Sequence, residues 1–153
     1  MQDGTLIFGG SFDPPHRGHV ALLKAAAKQI KPRRILIVPA SQAPLKGRPG
    51  ATAADRLKMV ELGILRALPK ALRARAKVER WELRQNRRVY TAETLARLSR
   101  LFPKEPLHFV IGGDSAASWP LWKNTDHLKR LCRWWVGRRP GSFIQLPDFF
   151  SEL

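Results

Sequence analysis

Two histidines three residues apart follow a glycine pair in Gly9-Gly10-Ser11-Phe12-Asp13-Pro14-Pro15-His16-Arg17-Gly18-His19. The apolar run Thr5-Leu6-Ile7-Phe8 precedes this segment, and Val20-Ala21-Leu22-Leu23-Lys24-Ala25-Ala26-Ala27 follows with the composition of a helix. Strand, glycine turn, imidazoles and helix start, in that order, suit an anion. Glycines let backbone amides approach a ligand, and the first amides of a helix are unpaired donors at its positive end. Side chains three apart across a helix start face the same way, so His16 and His19 can both donate to one phosphate chain. Pro14 and Pro15 stiffen the entry, with Pro15 near a position where proline suits a helix start. The glycine pair alone occurs in many turns. The histidine spacing also suits zinc, although no cysteine or third histidine lies near it in sequence.

The surrounding pattern supplies the elements that must hold these residues. Thr5–Phe8 reads as a first strand, and residues 18–30 carry apolar side chains at helical spacing until Pro32. Arg34–Pro39 is a second strand, apolar throughout and so buried on both faces. Residues 40–52 form a loop, and Ala53–Leu68 a helix with Leu57, Val60, Leu62, Ile64 and Leu68 inward. Lys77–Leu83 alternates with period two, which predicts a strand with one solvated face. Thr91–Leu101 is a helix aligning Leu95, Leu98 and Leu101, with Thr91 as N-cap and Glu93 following. Leu107–Ile111 is a third buried strand ending in Gly112-Gly113-Asp114, before a short helix over 124–131 and a strand over 133–137.

Strands alternating with helices predict an α/β, Rossmann-like, doubly wound fold with a mainly parallel sheet and flanking helices. In such sheets ligands bind beyond the carboxyl ends of the strands. The loops 9–19, 39–48, 112–122 and 137–141 all fall there.

At 153 residues the chain suits one domain. The lone Cys132 forms no internal disulfide, which fits a reducing cytosol, and a cytoplasmic location is expected. Asp3 and nearby glycines argue against a signal peptide, and apolar runs such as Ile35–Val38 are too short to span a bilayer, so no membrane partner is expected. The charge is +16, and residues 66–104 hold twelve basic and three acidic side chains, a net +9. Such a surface attracts polyanions of every kind, or simply reflects composition, and a nucleic-acid partner is not expected from it. A homo-oligomer is left open.

The segment Gly9–His19 resembles the nucleotidyltransferase signature with its His-x-Gly-His element. The chain as a whole resembles bacterial nicotinate-nucleotide adenylyltransferases from Thr5 to about Gly141. The likeness includes Pro39–Lys46, Ala54–Met59, Glu82–Leu95, Ile111–Ser115 with Trp119–Trp122, and Val136–Gly141. The resemblance implies transfer of an adenylyl group from ATP, with Mg²⁺, to nicotinate mononucleotide, giving deamido-NAD and pyrophosphate. It implies that Gly9, Gly10, Ser11 and Phe12 lie along the phosphates and that His16, His19 and Lys46 contact them. Gly112 and Asp114 then lie near the nucleoside sugars and Arg139 near a mononucleotide phosphate. Tyr90 and Thr91 take the nicotinate carboxylate, and Trp122 stacks on the pyridine ring. Trp81, Trp134 and Trp135 are expected to pack, and His108 and His127 to be structural. No protein-held metal is expected.

Members of the family carry a further Ser/Thr-rich element with an arginine that grips ATP opposite the histidines. Residues 142–153 contain no arginine and do not match it. They are expected to be an atypical tail, in a truncated or frameshifted sequence, a natural short form, or a site completed by another chain. Phe143, Phe149 and Phe150 are expected to patch exposed apolar surface. Alternative readings are a relative using nicotinamide mononucleotide or phosphopantetheine, or an inactive remnant that binds nucleotide or nucleic acid.

Overall fold

The computed structural model describes residues 3–42, 49–137 and 147–153. Thr5–Gly10 forms β1, Arg17–Ile30 α1 and Arg34–Pro39 β2. Ala53–Val60 forms α2, extended by a π-helical turn over Glu61–Leu65, and Lys70–Arg73 and Ala76–Val78 are the short α3 and β3. Trp81–Gln85 forms α4, Thr91–Leu101 α5 and Leu107–Gly112 β4. Gly113–Ala117 is α6, followed by a 3₁₀ turn over Trp119–Leu121, then α7 over Thr125–Leu131. Arg133–Gly137 is β5 and Phe150–Glu152 is β6.

The strands form one sheet in the order β3-β2-β1-β4-β5-β6, and every pairing is parallel. This is the doubly wound Rossmann order, so the expected class holds and the sheet is wholly parallel. Period two along β1 sends Leu6 and Phe8 to one face and Ile7 to the other. On the first face Leu23, Ala26 and Ile30 of α1 join Val60 and Ile64. On the second, Leu95 and Leu98 of α5 meet Phe109, Leu128 and Trp134. Burial on both faces is what the unbroken apolar runs required. Because all strands run one way, their carboxyl ends share one edge, and the switch point lies between β1 and β4. Among the described residues no helix is long and apolar enough to cross a membrane.

Four expectations are corrected. The strand expected over Lys77–Leu83 is only Ala76–Val78, and Trp81 opens α4 instead. The Glu79 amide donates to the Ile37 carbonyl, and the Glu79 carboxylate accepts the Trp81 amide at 2.9 Å, turning the chain off the sheet. Pro39, at the end of β2, has no N–H to extend a ladder. Thr91 is the first helical residue and Tyr90 the N-cap, because the Glu93 carboxylate reaches back to the Tyr90 amide at 2.8 Å. Leu62 is about half exposed, at 50%. Leu62 lies two residues from both Val60 and Ile64, on the opposite side of the helix.

The last correction concerns the tail. Phe150–Glu152 is a sixth strand paired with Trp134–Val136. Three residues carry no readable alternation, so the sequence concealed it. Phe149 and Phe150 do pack on aromatic surface, with Trp119 at 5.2 and 5.1 Å from their respective rings. Phe143 lies outside the described residues.

Candidate active site at the carboxyl edge of the sheet

The two histidines are fixed by the helix start they form. His16 is the N-cap of α1, and its Nδ1 accepts the Gly18 amide at 3.1 Å. His19 returns the contact, its Nδ1 accepting the His16 amide at 2.9 Å. Together the side chains close a capping box and satisfy two amides that a helix start otherwise leaves open. The rings stack with centroids 3.7 Å apart. Because Nδ1 of each is an acceptor, each neutral ring carries its hydrogen on Nε2. The backbone thus fixes the tautomer of both rings.

Phe12 is turned away from this edge. It is buried with φ +48, in the left-handed region that a bulky residue rarely adopts, and its ring meets His19 edge-on at 5.1 Å. Its side chain braces His19 from below, so only its backbone faces the loop expected to follow the phosphates.

Two further residues tie the loops together. The Arg56 guanidinium, 1% exposed, donates to the Ser11 carbonyl at 2.9 Å, to the Ala40 carbonyl and to the Ser41 carbonyl at 2.9 Å. It therefore binds the loop after β1 to the loop after β2. The Asp13 carboxylate accepts the Gly50 and Ala51 amides at 2.6 and 3.2 Å, joining the first loop to the entry of α2. Arg56→Met leaves three carbonyls without their donor and is expected to cost about 2–4 kcal/mol, read from the urea unfolding midpoint.

Between β1, β2, α5 and the 118–123 turn lies a cavity of about 360 Å³. Gly9, Gly10, Glu82, Tyr90, Thr91 and Trp122 line it. Trp122 is set by its neighbours: its indole N–H donates to Ser118 Oγ at 2.9 Å, and its ring lies 5.0 Å from Trp119. Lys123 Nζ sits 4.6 Å from the Tyr90 ring centroid. The Tyr90 amide is already taken by Glu93, so the first-turn amides of α5 at Thr91 and Ala92 are the donors of this segment with no intrahelical acceptor. Arg87, at 2.9 Å, and then the Tyr90 amide hold the Glu93 carboxyl below the usual range.

Comparison with known proteins bears on the family and the fold. The cytidylyltransferase-like family model matches residues 7–152. The probable nicotinate-nucleotide adenylyltransferase of Prosthecochloris aestuarii is 36% identical over 96% of this chain and 71% of its own length. That of Aquifex aeolicus is 31% identical over 96% of this chain and 84% of its own length. The chain belongs to the nicotinate-nucleotide adenylyltransferase family. The fold agrees with that of the Plasmodium falciparum nicotinic acid mononucleotide adenylyltransferase solved with NaAD, with TM-score 0.81 at 17% identity, covering 99% of this chain and 75% of that one. The family match reaches residue 152, beyond the limit near Gly141 set from motifs, and it takes in β6.

Against the nicotinate-nucleotide adenylyltransferase pattern, the cavity brings together Gly9, Gly10, Ser11, Tyr90, Thr91 and Trp122. His16 and His19 stand at the start of α1, outside its lining. Gly112 is the N-cap of α6 at the end of β4, and a Cβ there would meet nothing within 4 Å. Neither packing nor its backbone conformation demands a glycine, so Gly112→Ala is expected to shift stability by no more than about 0.5 kcal/mol in thermal unfolding. Asp114 lies in α6. Lys46 and Arg139 lie outside the described residues. Trp134 is buried in the core, and Trp135 donates to Nδ1 of buried His108, whose Nε2 faces Asp3 at 3.1 Å. His108 is structural as expected; His127 is exposed on α7. Trp81 carries the Arg97 guanidinium 5.3 Å from its ring.

Sequence reasoning missed three residues of this site: Arg56, Ser118 and Glu82. Arg56 and Glu82 stand within motifs that the resemblance marked, but their contacts depend on chain segments far away in sequence. Ser118 carried no signal.

Proposed function

We propose that this chain transfers the adenylyl group of ATP to nicotinate mononucleotide, forming deamido-NAD and releasing pyrophosphate. A phosphate oxygen of the mononucleotide attacks the α-phosphorus of ATP in line. The bond from that phosphorus to the oxygen bridging toward the β-phosphorus breaks, and its electron pair leaves with pyrophosphate. No covalent intermediate with the protein is required. Mg²⁺ enters as part of the substrate, bound to the triphosphate.

Catalysis of such a transfer rests on positioning and on neutralising phosphate charge. In this reading the Nε2–H groups of His16 and His19 donate to the ATP phosphates, and the Gly9–Ser11 backbone lies along them. Lys46 and Arg139 add positive charge on the strength of their motifs. Trp122 stacks on the pyridine ring, while the Thr91 hydroxyl and the first-turn amides of α5 hold its carboxylate. Gly112 and Asp114 border the sugars. The observation that carries the proposal is that one cavity connects the glycine end of β1 with Thr91 and Trp122. That pairing of a phosphate loop with an aromatic, donor-bearing pocket favours a pyridine mononucleotide over phosphopantetheine.

The test is pyrophosphate release in the presence of MgATP and each of nicotinate mononucleotide, nicotinamide mononucleotide and phosphopantetheine. Release is expected with the pyridine substrates, fastest with the nicotinate form. Release with phosphopantetheine alone, or with none of the three, contradicts the proposal.

A further inference from the structure

Among the described residues lining the cavity, Glu82 is the only acid, and the adenylyl transfer described above does not employ it. Its carboxylate accepts the Thr94 hydroxyl at 2.7 Å, from the first turns of the helix whose start carries Thr91. Its carboxyl is raised to about 7, chiefly by burial, with the Thr94 hydrogen bond opposing the rise and the charges of Glu93 and Glu79 adding to it. The charged groups around it are accounted for. Glu79 pairs with Arg97 at 3.2 Å, Glu93 pairs with Arg87, and Lys123 lies over the Tyr90 ring on the cavity wall.

The two pyridine mononucleotides share ring charge, ribose and 5′-phosphate. They differ in one group, a carboxylate in one and a carboxamide in the other. An ionised Glu82 repels a carboxylate held in the same cavity and leaves the carboxamide unopposed. We propose that Glu82 is a specificity residue: as a carboxylic acid it admits a ring bearing a carboxylate, and as a carboxylate it favours the uncharged carboxamide. The proposal rests on the pyridine-nucleotide reading of the cavity and adds to it the group that sets the choice. Like charges sharing a partly screened cavity change relative affinity by about 10–100-fold.

Calorimetric dissociation constants for both mononucleotides, measured from about pH 5.5 to about pH 8.5, test this directly. Taking the ratio of the two cancels the titration of the shared 5′-phosphate. The acid-over-amide preference of the wild type is expected to fall at least about tenfold across that range. In Glu82→Gln, which keeps the shape and removes the titration, the ratio is expected to stay flat. Thr94→Val removes a hydrogen bond that favours the ionised form and is expected to move the midpoint of that fall to higher pH. A flat wild-type ratio, or a Glu82→Gln curve that follows the wild type, overturns the proposal. Failure of the wild type to bind either mononucleotide at any pH overturns the cavity reading itself, a different result from a flat ratio.

Discussion

His19→Ala is expected to lower kcat by about 10²–10³-fold, the usual effect of removing one preorganised donor from a developing negative charge. KM for nicotinate mononucleotide is expected to change by less than about threefold, since His19 is proposed to donate to ATP and lies outside the lining of the Trp122 cavity. The geometry explains why the donor is so dependable. The Nδ1 of His19 is occupied by the His16 amide, which fixes the hydrogen on Nε2. The substitution also opens the capping box and is expected to cost about 1 kcal/mol of stability. That loss appears in thermal unfolding and leaves kcat at saturating substrate untouched, so the two effects separate. An unchanged kcat removes His19 from the mechanism.

Trp122→Ala is expected to raise KM for nicotinate mononucleotide by about 10–100-fold, the range found when an aromatic stacking surface under a base is removed. KM for ATP should move little. The indole is held by Ser118 and backed by Trp119, which in turn packs on Trp134 at 4.7 Å. A stacking surface fixed on two sides loses little freedom when ligand binds. Ser118→Ala, which frees the indole N–H, is expected to raise the same KM less, by about two- to fivefold, through loss of a single hydrogen bond. Equal increases for both substrates in Trp122→Ala assign the tryptophan to packing instead.

The sequence made the strands and helices that frame the site legible because burial on two faces leaves unbroken apolar runs. Arg34–Pro39 could be bounded at both ends for that reason, and a mainly parallel sheet followed from the alternation of elements. The strand order and the absence of any antiparallel pair among the described strands are seen only in the fold. Local alternation misled at Lys77–Leu83, where period two persisted after the sheet had run out of partners on β2. The histidine pair was visible in spacing, while its tautomers became visible only once each ring was seen to cap its own helix. Phe12 illustrates the opposite limit. As part of a signature it looked like a ligand contact, but its left-handed backbone buries the ring under His19. Arg56 and Glu82 act through contacts that the folded chain creates, and Ser118 through a local turn contact that no motif marked.

The central claim is that a mononucleotide phosphate attacks the α-phosphorus of ATP across this carboxyl edge. Nicotinate mononucleotide carrying heavy oxygen in its phosphate tests it most directly, with products weighed by mass spectrometry. Deamido-NAD that retains the label, with one unlabelled pyrophosphate formed for each, is the predicted result. Label in the pyrophosphate, or no deamido-NAD from both substrates together, contradicts it.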